Sequence, residues 1–442
     1  GSPAGHMTHD LNSWGRFPSA REQLERPVTD RFAPLPDFVG RALPRGNGRS
    51  YGDSCLNAGG ALLTTRALNH FISFDPATGV LEAEAGVTLA DVIALALPHG
   101  WFLPVTPGTR WATLGGAISN DVHGKNHHVA GSFGHHVRSL ELLRSDGSRE
   151  QLVAGAGSER LRATIGGLGL TGLITRCELQ LRRVPGPWLD TETVRFDCLD
   201  DFFALSAESA PTHEYTVAWI DCLAKGTHLG RGHFIRSDHA PGDPLAPIPG
   251  GHQRLAFPIT PPMSLVNRLT LRPFNSAYYW RQPARRQRVQ QHYQGYFYPL
   301  DGIGNWNRMY GPRGFLQHQC VLPPSAARQA TAALLRAISE SGQGSFLAVL
   351  KDFGDMAPAG MLSFPRPGTT LALDFPNTGP DVFRLLERLD DIVAEVGGTL
   401  YPAKDARMAP ALFQQGYGDQ LAAFHDHIDP RLSSGFWRRM TE

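Results

Sequence analysis

Alternating and helical spacings of apolar residues predict regular elements at both ends of the chain. Residues 70–87 have the pattern of two strands broken by a turn at 76–79. The sequence Thr88-Leu-Ala-Asp91 then predicts a capping box at the start of a short helix. Residues 101–105 predict a strand, and Asp146-Gly147 predicts a hairpin turn between the apolar runs 139–144 and 149–153.

The C-terminal third is more regular. Strands are predicted at 315–322, 345–352, 369–375 and 399–402, with helices at 325–341 and 381–396. This β-α-β-β-α-β order predicts an antiparallel sheet with helices on one face, which could cover a ligand as a cap. A helical tail at 410–439 is expected to return to the first domain.

The part between these regions has weak periodicity. Residues 221–288 are rich in Pro, Gly and His, and we expect a mobile stretch around 235–290. Its apolar pieces, 257–266 and 277–280, could be packed or could form an apolar entrance, and packing is the interpretation we favour.

Two glycine-rich stretches carry the candidate chemistry. Residues 106–138, the second glycine loop, have too many glycines for a helix interior and too many polar groups for a core strand. Residues 44–57, the first glycine loop, alternate glycine with arginine, serine and tyrosine. Taken alone, the first loop fits a surface turn as well as a ligand site. Two such loops together favour a ligand, because freed backbone N–H groups can bind a pyrophosphate. The sequence therefore predicts a dinucleotide cofactor.

Residues 167–172 also satisfy G-x-G-x-x-G, but the nicotinamide fingerprint requires a helix to follow. The β-like pattern at 173–183 instead indicates a bend that brings backbone close to a cofactor.

Composition limits the function classes. A length of 442 residues favours two domains, and a formal net charge of +1 gives no indication of nucleic-acid binding. Five cysteines without a CxxC pair argue against a disulfide framework or zinc ribbon and for a reducing compartment. No run of about 18 apolar residues and no signal peptide is evident, and the leading GSPAGHM resembles an expression scar before Met7. The histidines at 123, 127, 128, 135 and 136 are irregularly spaced without nearby Cys, so we predict no metal.

Several motifs carry a family resemblance: PRGNGRSYGD, PGTRWATLGGAISNDVHGKNHH, AGSFGHHVRSLELL, GGLGLTG and LYPAKDAR. They resemble decaprenylphosphoryl-β-D-ribose 2′-oxidase-like FAD oxidoreductases, which are vanillyl-alcohol-oxidase/PCMH-type flavoproteins. The resemblance implies an α+β fold with a PCMH-type two-part FAD-binding domain (8–186 and 400–442) and a substrate cap domain with an antiparallel sheet (187–399). It also implies non-covalent FAD, because the first glycine loop lacks the histidine that bonds the flavin in related alditol oxidases.

The implied reaction is oxidation of the 2′-hydroxyl of a polyprenylphosphoryl-β-D-ribose to the 2′-keto sugar, by hydride transfer to flavin N5. This would be the first half of an epimerisation to the arabinose form in cell-envelope biosynthesis, completed by an NAD(P)H-dependent keto-sugar reductase. A lipid-linked substrate implies peripheral membrane contact. We expect a cytoplasmic enzyme, peripheral at the inner membrane, with the periplasm as the alternative. The alternative activities are oxidation of a soluble sugar, alditol or aldonolactone, or non-catalytic FAD binding.

The resemblance also assigns residues. FAD contacts are implied at Pro44, Arg45, Gly46, Asn47, Gly48, Arg49, Ser50, Tyr51, Gly52, Asp53, Ser54, Gly108, Thr109, Thr113, Leu114, Gly115, Gly116, Asn120, Asp121, Val122, His123, Gly172, Ile174 and Tyr401. Catalytic roles are implied for Lys404 as the cation, with His123 and Tyr51. Substrate contacts are implied at Gln317, Gln319, Lys351, Lys125, Trp219 and Ala372. The sequence departs from some family members at two of these positions. Ala372 stands where those members carry a cysteine that traps nitroaromatic inhibitors, and Asn120 stands where they carry a different small residue.

Overall fold

A computed structural model describes residues 10–242, 270–303 and 313–442. Its strands form a three-stranded, a two-stranded, a five-stranded and an eight-stranded sheet. The N-terminal strands are β1 (Leu24–Pro27), β2 (Ala42–Arg45), β3 (Ala61–Thr64), β4 (Phe71–Asp75), β5 (Val80–Glu84), β6 (Trp101–Phe102), β7 (Val137–Leu143), β8 (Arg149–Val153), β9 (Leu173–Gln180) and β10 (Arg182–Arg183). The later strands are β11 (Trp188–Phe196), β12 (Tyr215–Ile220), β13 (Gly232–Ala240), β14 (Arg286–His292), β15 (Phe315–Leu322), β16 (Ala348–Phe353), β17 (Gly368–Pro376) and β18 (Thr399–Leu400).

The helices are distributed over both parts of the chain. They are α1 (Leu89–Ala96), α2 (Leu114–Ser119), α3 (His127–Ala130), α4 (Glu159–Thr164), α5 (Leu199–Ser209), α6 (Leu271–Trp280), α7 (Tyr293–Phe297), α8 (Ala327–Ser341), α9 (Pro380–Glu395), α10 (Pro410–His425) and α11 (Gly435–Thr441). Among the helices of these described ranges, none is both long enough and apolar enough to span a bilayer.

The N-terminal half contains two sheets that hold the glycine loops. Strands β1, β3 and β2 are parallel, and the first glycine loop leaves the end of β2. The five-stranded sheet has the antiparallel order β4-β5-β9-β7-β8. Its apolar face and α1 bury one hydrophobic core, which includes Leu81, Ile93 and Leu140. The predicted capping box at α1 is confirmed, since Thr88 and Asp91 exchange both hydrogen bonds.

The later part forms one eight-stranded antiparallel sheet in the order β14-β11-β13-β12-β16-β17-β15-β18. Helices α8 and α9 pack against each other on the sheet, with Leu334, Leu335, Leu386 and Leu389 fully or almost fully buried. The predicted α+β class and antiparallel sheet with covering helices are therefore confirmed. The division of the chain at 187 and 400 stays a prediction.

The tail returns to the first domain, as predicted, although it forms α10 and α11 rather than one long helix. Arg439 on α11 donates to Asp53 (2.9 and 3.0 Å) and to Asp405 (2.8 Å). These bonds join the first glycine loop to the segment that follows β18.

The mobility expected around 235–290 stays a prediction. The described parts of this stretch have regular secondary structure, because β13 runs to Ala240 and α6 and β14 occupy 271–280 and 286–292. The apolar piece 257–266 lies outside the described residues. The strand predicted at 101–105 ends at Phe102, where its two-residue pairing with β10 ends.

Candidate functional site

One large cavity lies between the glycine loops and one face of the eight-stranded sheet. Its volume is about 1090 Å³, which is at or beyond the upper end for a single small-molecule ligand and leaves space for a cofactor together with a substrate. Side chains from β15, β16 and β17 line the sheet side, and both glycine loops line the opposite side. The structure thus brings together segments that are separated by more than 300 residues.

The two glycine loops touch each other at the cavity wall. Asn47 Nδ2 donates to the carbonyl oxygen of Trp111 at 2.8 Å, and Asn120 Nδ2 donates to Ser50 Oγ at 3.2 Å. A Cβ added at Gly46 would clash with Thr113 Oγ1, so only glycine permits this approach. The loops therefore form one continuous wall.

This wall offers unpaired polar groups to a ligand. Within the described part of the chain, the backbone N–H groups of residues 47–50 make no hydrogen bond. The buried Ser54 Oγ and Arg49 Nε also have no partner among the described residues. Buried donors are normally satisfied, so a bound anionic group such as a diphosphate would supply the acceptors that these donors need. The residues present therefore fit FAD.

Lys404 and Asp374 lie in the cavity beside Tyr51. Lys404 Nζ is 3.6 Å from the centroid of the Tyr51 ring, and Gln317 Nε2 donates to Asp374 Oδ1 at 2.6 Å. Burial lowers the pKa of Lys404 and raises the pKa of Asp374, while each charge favours the ionised form of the other. Burial also raises the pKa of Tyr51 well above 10, so the phenol stays neutral. This arrangement can hold or move a proton near a bound ligand.

His123 is paired with one of the predicted glutamines. Gln319 Nε2 donates to His123 Nε2 at 3.0 Å and also reaches Thr370 Oγ1 at 3.2 Å. Burial, together with Lys351 and Lys404, holds the pKa of His123 well below 6.5. The ring is therefore neutral with its proton on Nδ1, which has no partner among the described residues.

Two further lysines line the same cavity. Lys125 Nζ donates to the carbonyl oxygen of Tyr296 at 2.8 Å, and Lys351 Nζ donates to the carbonyl oxygen of Gly124 at 3.3 Å. Burial lowers the pKa of Lys125 to about 8, and burial with repulsion from Lys125 and Lys404 lowers the pKa of Lys351 to about 7. Cations held this close together without a matching number of carboxylates favour an anionic ligand.

Most of the predicted site residues line the cavity. The four implied FAD contacts that do not line it are Gly52, Asp53, Leu114 and Asp121. Gly52 packs against the backbone of Asp405, and Asp53 pairs with Arg439. Leu114 is fully buried in the core of the N-terminal half.

Asp121 is also fully buried and points away from the cavity. Its carboxylate accepts hydrogen bonds from Ser132 Oγ, Ser363 Oγ and the Gly134 N–H. We therefore assign it a structural role.

Sequence reasoning missed Asp374, which lies two residues after Ala372 on β17 and so shares its face. The other four histidines of the second glycine loop make ordinary hydrogen bonds; for example, His128 Nε2 lies 2.7 Å from the His213 carbonyl oxygen. Within the described residues there is no group of three His, Cys, Asp or Glu residues placed to hold a metal ion.

Comparison with known proteins agrees with this geometry. A family described as an FAD binding domain matches residues 40–152, which contain both glycine loops. The chain is 39% identical over 406 residues to decaprenylphosphoryl-beta-D-ribose oxidase of Mycolicibacterium smegmatis, covering 88% of this chain and 86% of that protein. Shorter matches include a probable L-gulonolactone oxidase of Arabidopsis thaliana (32% identity, 28% of this chain and 22% of the relative) and a D-lactate dehydrogenase of Anaerostipes hadrus (28% identity, 29% and 28%). The chain belongs to the decaprenylphosphoryl-beta-D-ribose oxidase family of FAD-dependent oxidoreductases.

Proposed function

We propose that this enzyme oxidises the 2′-hydroxyl of a polyprenylphosphoryl-β-D-ribose to the 2′-keto sugar. The observation that carries the proposal is the cavity itself, where the FAD loops face two glutamines, the Asp374 carboxylate and Lys351 on the cap sheet, and where Lys125 and Lys404 complete the same lining. The substrate named for the Mycolicibacterium relative has both a sugar and a phosphate. Glutamine amides can form hydrogen bonds with the hydroxyl groups of the sugar, and lysine side chains can bind the negatively charged phosphate.

Oxidation of a secondary alcohol releases a hydride and a proton. When bound, the flavin accepts the hydride. The chain must hold the alcohol in position and take the proton as the hydride leaves. We assign the proton to Asp374 or Lys404, which line the same cavity, because burial raises the pKa of the Asp374 carboxyl and lowers the pKa of the Lys404 amine.

The remaining side chains position the sugar. Gln317 and Gln319 occupy alternate positions on β15 and line the cavity together. Each glutamine is already oriented by a hydrogen bond, to Asp374 or to His123. Gln317 Oε1 is buried and has no partner among the described residues. It is therefore placed to accept a hydrogen bond from a sugar hydroxyl.

Lys351 and Lys125 are proposed to bind the phosphate, which separates the sugar from the lipid chain. A phosphate there would provide the counter-charge that these buried cations lack. We also propose that the keto product passes to a separate NAD(P)H-dependent reductase, since completing the epimerisation requires hydride to be returned to the sugar.

The test is anaerobic mixing of the FAD-loaded enzyme with polyprenylphosphoryl ribose in detergent, followed by absorbance of the flavin. We expect the flavin to bleach and the product to carry a 2′-ketone by mass spectrometry. Free ribose, an alditol and an aldonolactone serve as matched comparisons at the same concentration. If any of these reduces the flavin faster than the lipid-linked sugar, the proposed substrate is wrong.

A further inference from the structure

Strand β14 forms one edge of the eight-stranded sheet and has an unusual composition. It pairs with β11 on one side, and no strand of the described residues pairs with its other side. Residues 270–292, from the start of α6 to the end of β14, contain five arginines and no Asp or Glu. The side chain of Arg288 is 84% exposed and that of Arg286 is 58% exposed. This edge is therefore strongly basic.

The arginines outnumber the carboxylates that they contact. Glu192 on β11 accepts from Arg288 at 2.8 Å, from Arg286 at 3.2 Å and from the buried Arg236 at 2.8 Å. One carboxylate thus serves three guanidinium groups. The edge keeps a positive surplus that a polyanionic surface could neutralise.

Large apolar side chains are exposed at the same edge. Trp280, at the end of α6, is 55% exposed, and Val289 on β14 is 46% exposed. Charges on an edge strand also prevent strand pairing between molecules, but that role does not require an exposed tryptophan. Aromatic and basic side chains together are typical of surfaces that enter the headgroup region of a bilayer.

The edge is continuous with the substrate cavity. Most of β14 lines the cavity, namely Gln287 and the run from Val289 to His292, whereas Arg286 and Arg288 do not line it and lie on the face of the strand opposite Gln287 and Val289. On the sheet face, cavity-lining positions run from β14 through β11, β13, β12, β16 and β17 to β15. At about 4.8 Å per strand, this path is roughly 29 Å long.

We propose that β14 and the end of α6 dock on an anionic phospholipid bilayer and that the lipid-linked substrate enters the cavity at this edge. The entry of substrate rests on the proposed function, whereas the docking does not. A bilayer at this edge would contact the arginines and Trp280 together. It would also present an isoprenoid chain to the cavity without removing that chain from an apolar environment.

The experiment is flotation of the FAD-loaded enzyme with vesicles of phosphatidylcholine alone or of phosphatidylcholine with phosphatidylglycerol. We expect binding to the anionic vesicles, and we expect added salt to weaken it. Each basic residue at such a surface is worth about fivefold in partitioning. Since Glu192 already neutralises part of the charge, the double variant Arg286→Gln/Arg288→Gln should bind about tenfold more weakly.

The matched control is Arg384→Gln/Arg388→Gln, which removes two exposed arginines from α9 near the opposite edge of the sheet. It should bind as the wild type does. Trp280→Gln, which removes no charge, should weaken binding but leave its salt dependence unchanged. Both double variants should unfold at the wild-type temperature, because Glu192 keeps Arg236 as its partner and because the ion pairs of Arg384 and Arg388 are exposed.

Docking is refuted if the wild type does not float with anionic vesicles, or if the two double variants lose binding to them equally. It is also refuted if Trp280→Gln has no effect and heparin captures the enzyme as well as the vesicles do, because the edge would then bind polyanions in general. Flavin bleaching by polyprenylphosphoryl ribose in detergent is measured separately and should be the same in wild type and Arg286→Gln/Arg288→Gln. Failure of bleaching with intact vesicle binding would refute the proposed function alone.

Discussion

Lys351 should make substrate binding weaken as the pH rises above neutrality. Its ammonium group is buried beside the Gly124 carbonyl oxygen, and burial with repulsion from Lys125 and Lys404 lowers its pKa to about 7. A phosphodiester keeps its single charge throughout this range, so the pH dependence reports the lysine and not the ligand. Binding that needs the charged lysine is unaffected below pH 7. Above pH 7 the lysine must first be protonated, which costs about 1.4 kcal/mol, or tenfold in affinity, per pH unit.

The assay is an equilibrium titration with a polyprenylphosphoryl 2-deoxyribose, which has no 2′-hydroxyl to oxidise, followed by perturbation of the flavin absorbance. The dissociation constant should be flat from pH 6 to about 7 and should rise by up to about tenfold per unit above it. Lys351→Met should bind more weakly at pH 6 and lose the rise between pH 7 and about 8, and only the later rise from Lys125, whose pKa is about 8, should remain. Lys125→Met should move the break to higher pH, because it removes a repulsion that lowers the pKa of Lys351. A flat profile in the wild type, or an equally steep one in Lys351→Met, would refute the assignment.

Three other outcomes follow from the site and its supports. Lys404→Met should slow flavin reduction by about 10²–10⁴-fold in stopped-flow mixing, while Lys404→Arg, which keeps the charge, should lose less. Gly46→Ala should weaken FAD binding by about tenfold to a hundredfold in ultrafiltration, because the added Cβ meets Thr113 Oγ1; Gly302→Ala, where a Cβ meets nothing within 4 Å, should retain FAD. Arg439→Gln should lower the free energy of unfolding by about 3–5 kcal/mol in urea, because it leaves the buried carboxylates of Asp53 and Asp405 without the cation that they share; a loss below 1 kcal/mol would contradict this.

The elements that sequence predicted best are those whose apolar residues follow one spacing between clear boundaries. Strand β15 at Phe315–Leu322 matches its prediction to the residue, and α9 differs by one residue at each end. Strand β14 could not be found in this way, because Arg286–His292 lies at a sheet edge and has no apolar face. Its position follows from pairing with β11, a contact nearly 100 residues away along the chain.

Site residues could be predicted from sequence where every residue of a loop motif lies close to the ligand. Motifs do not tell which side of a short helix points inwards, which is why Leu114 was assigned to FAD although it lies in the core beside the cavity-lining Gly115 and Gly116. Asp121 has a positive φ of 44°, and this turn directs its carboxylate into the protein, where it orders the second glycine loop. Asp374 and Lys404 line one cavity only because the tertiary structure brings β17 beside the segment after β18.

The bonds from Arg439 to Asp53 and Asp405 have a consequence for biosynthesis. The Tyr51 N–H also donates to the Ala403 carbonyl oxygen at 2.8 Å, so residues beyond 400 complete the support of a loop that is translated near the start. A nascent chain whose C-terminal end is still in the ribosomal exit tunnel has the first glycine loop but lacks the residues beyond 400 that support it. We therefore expect FAD to bind stably only after residue 439 has emerged, so a fragment that ends before α10 should be isolated colourless even when both glycine loops are present.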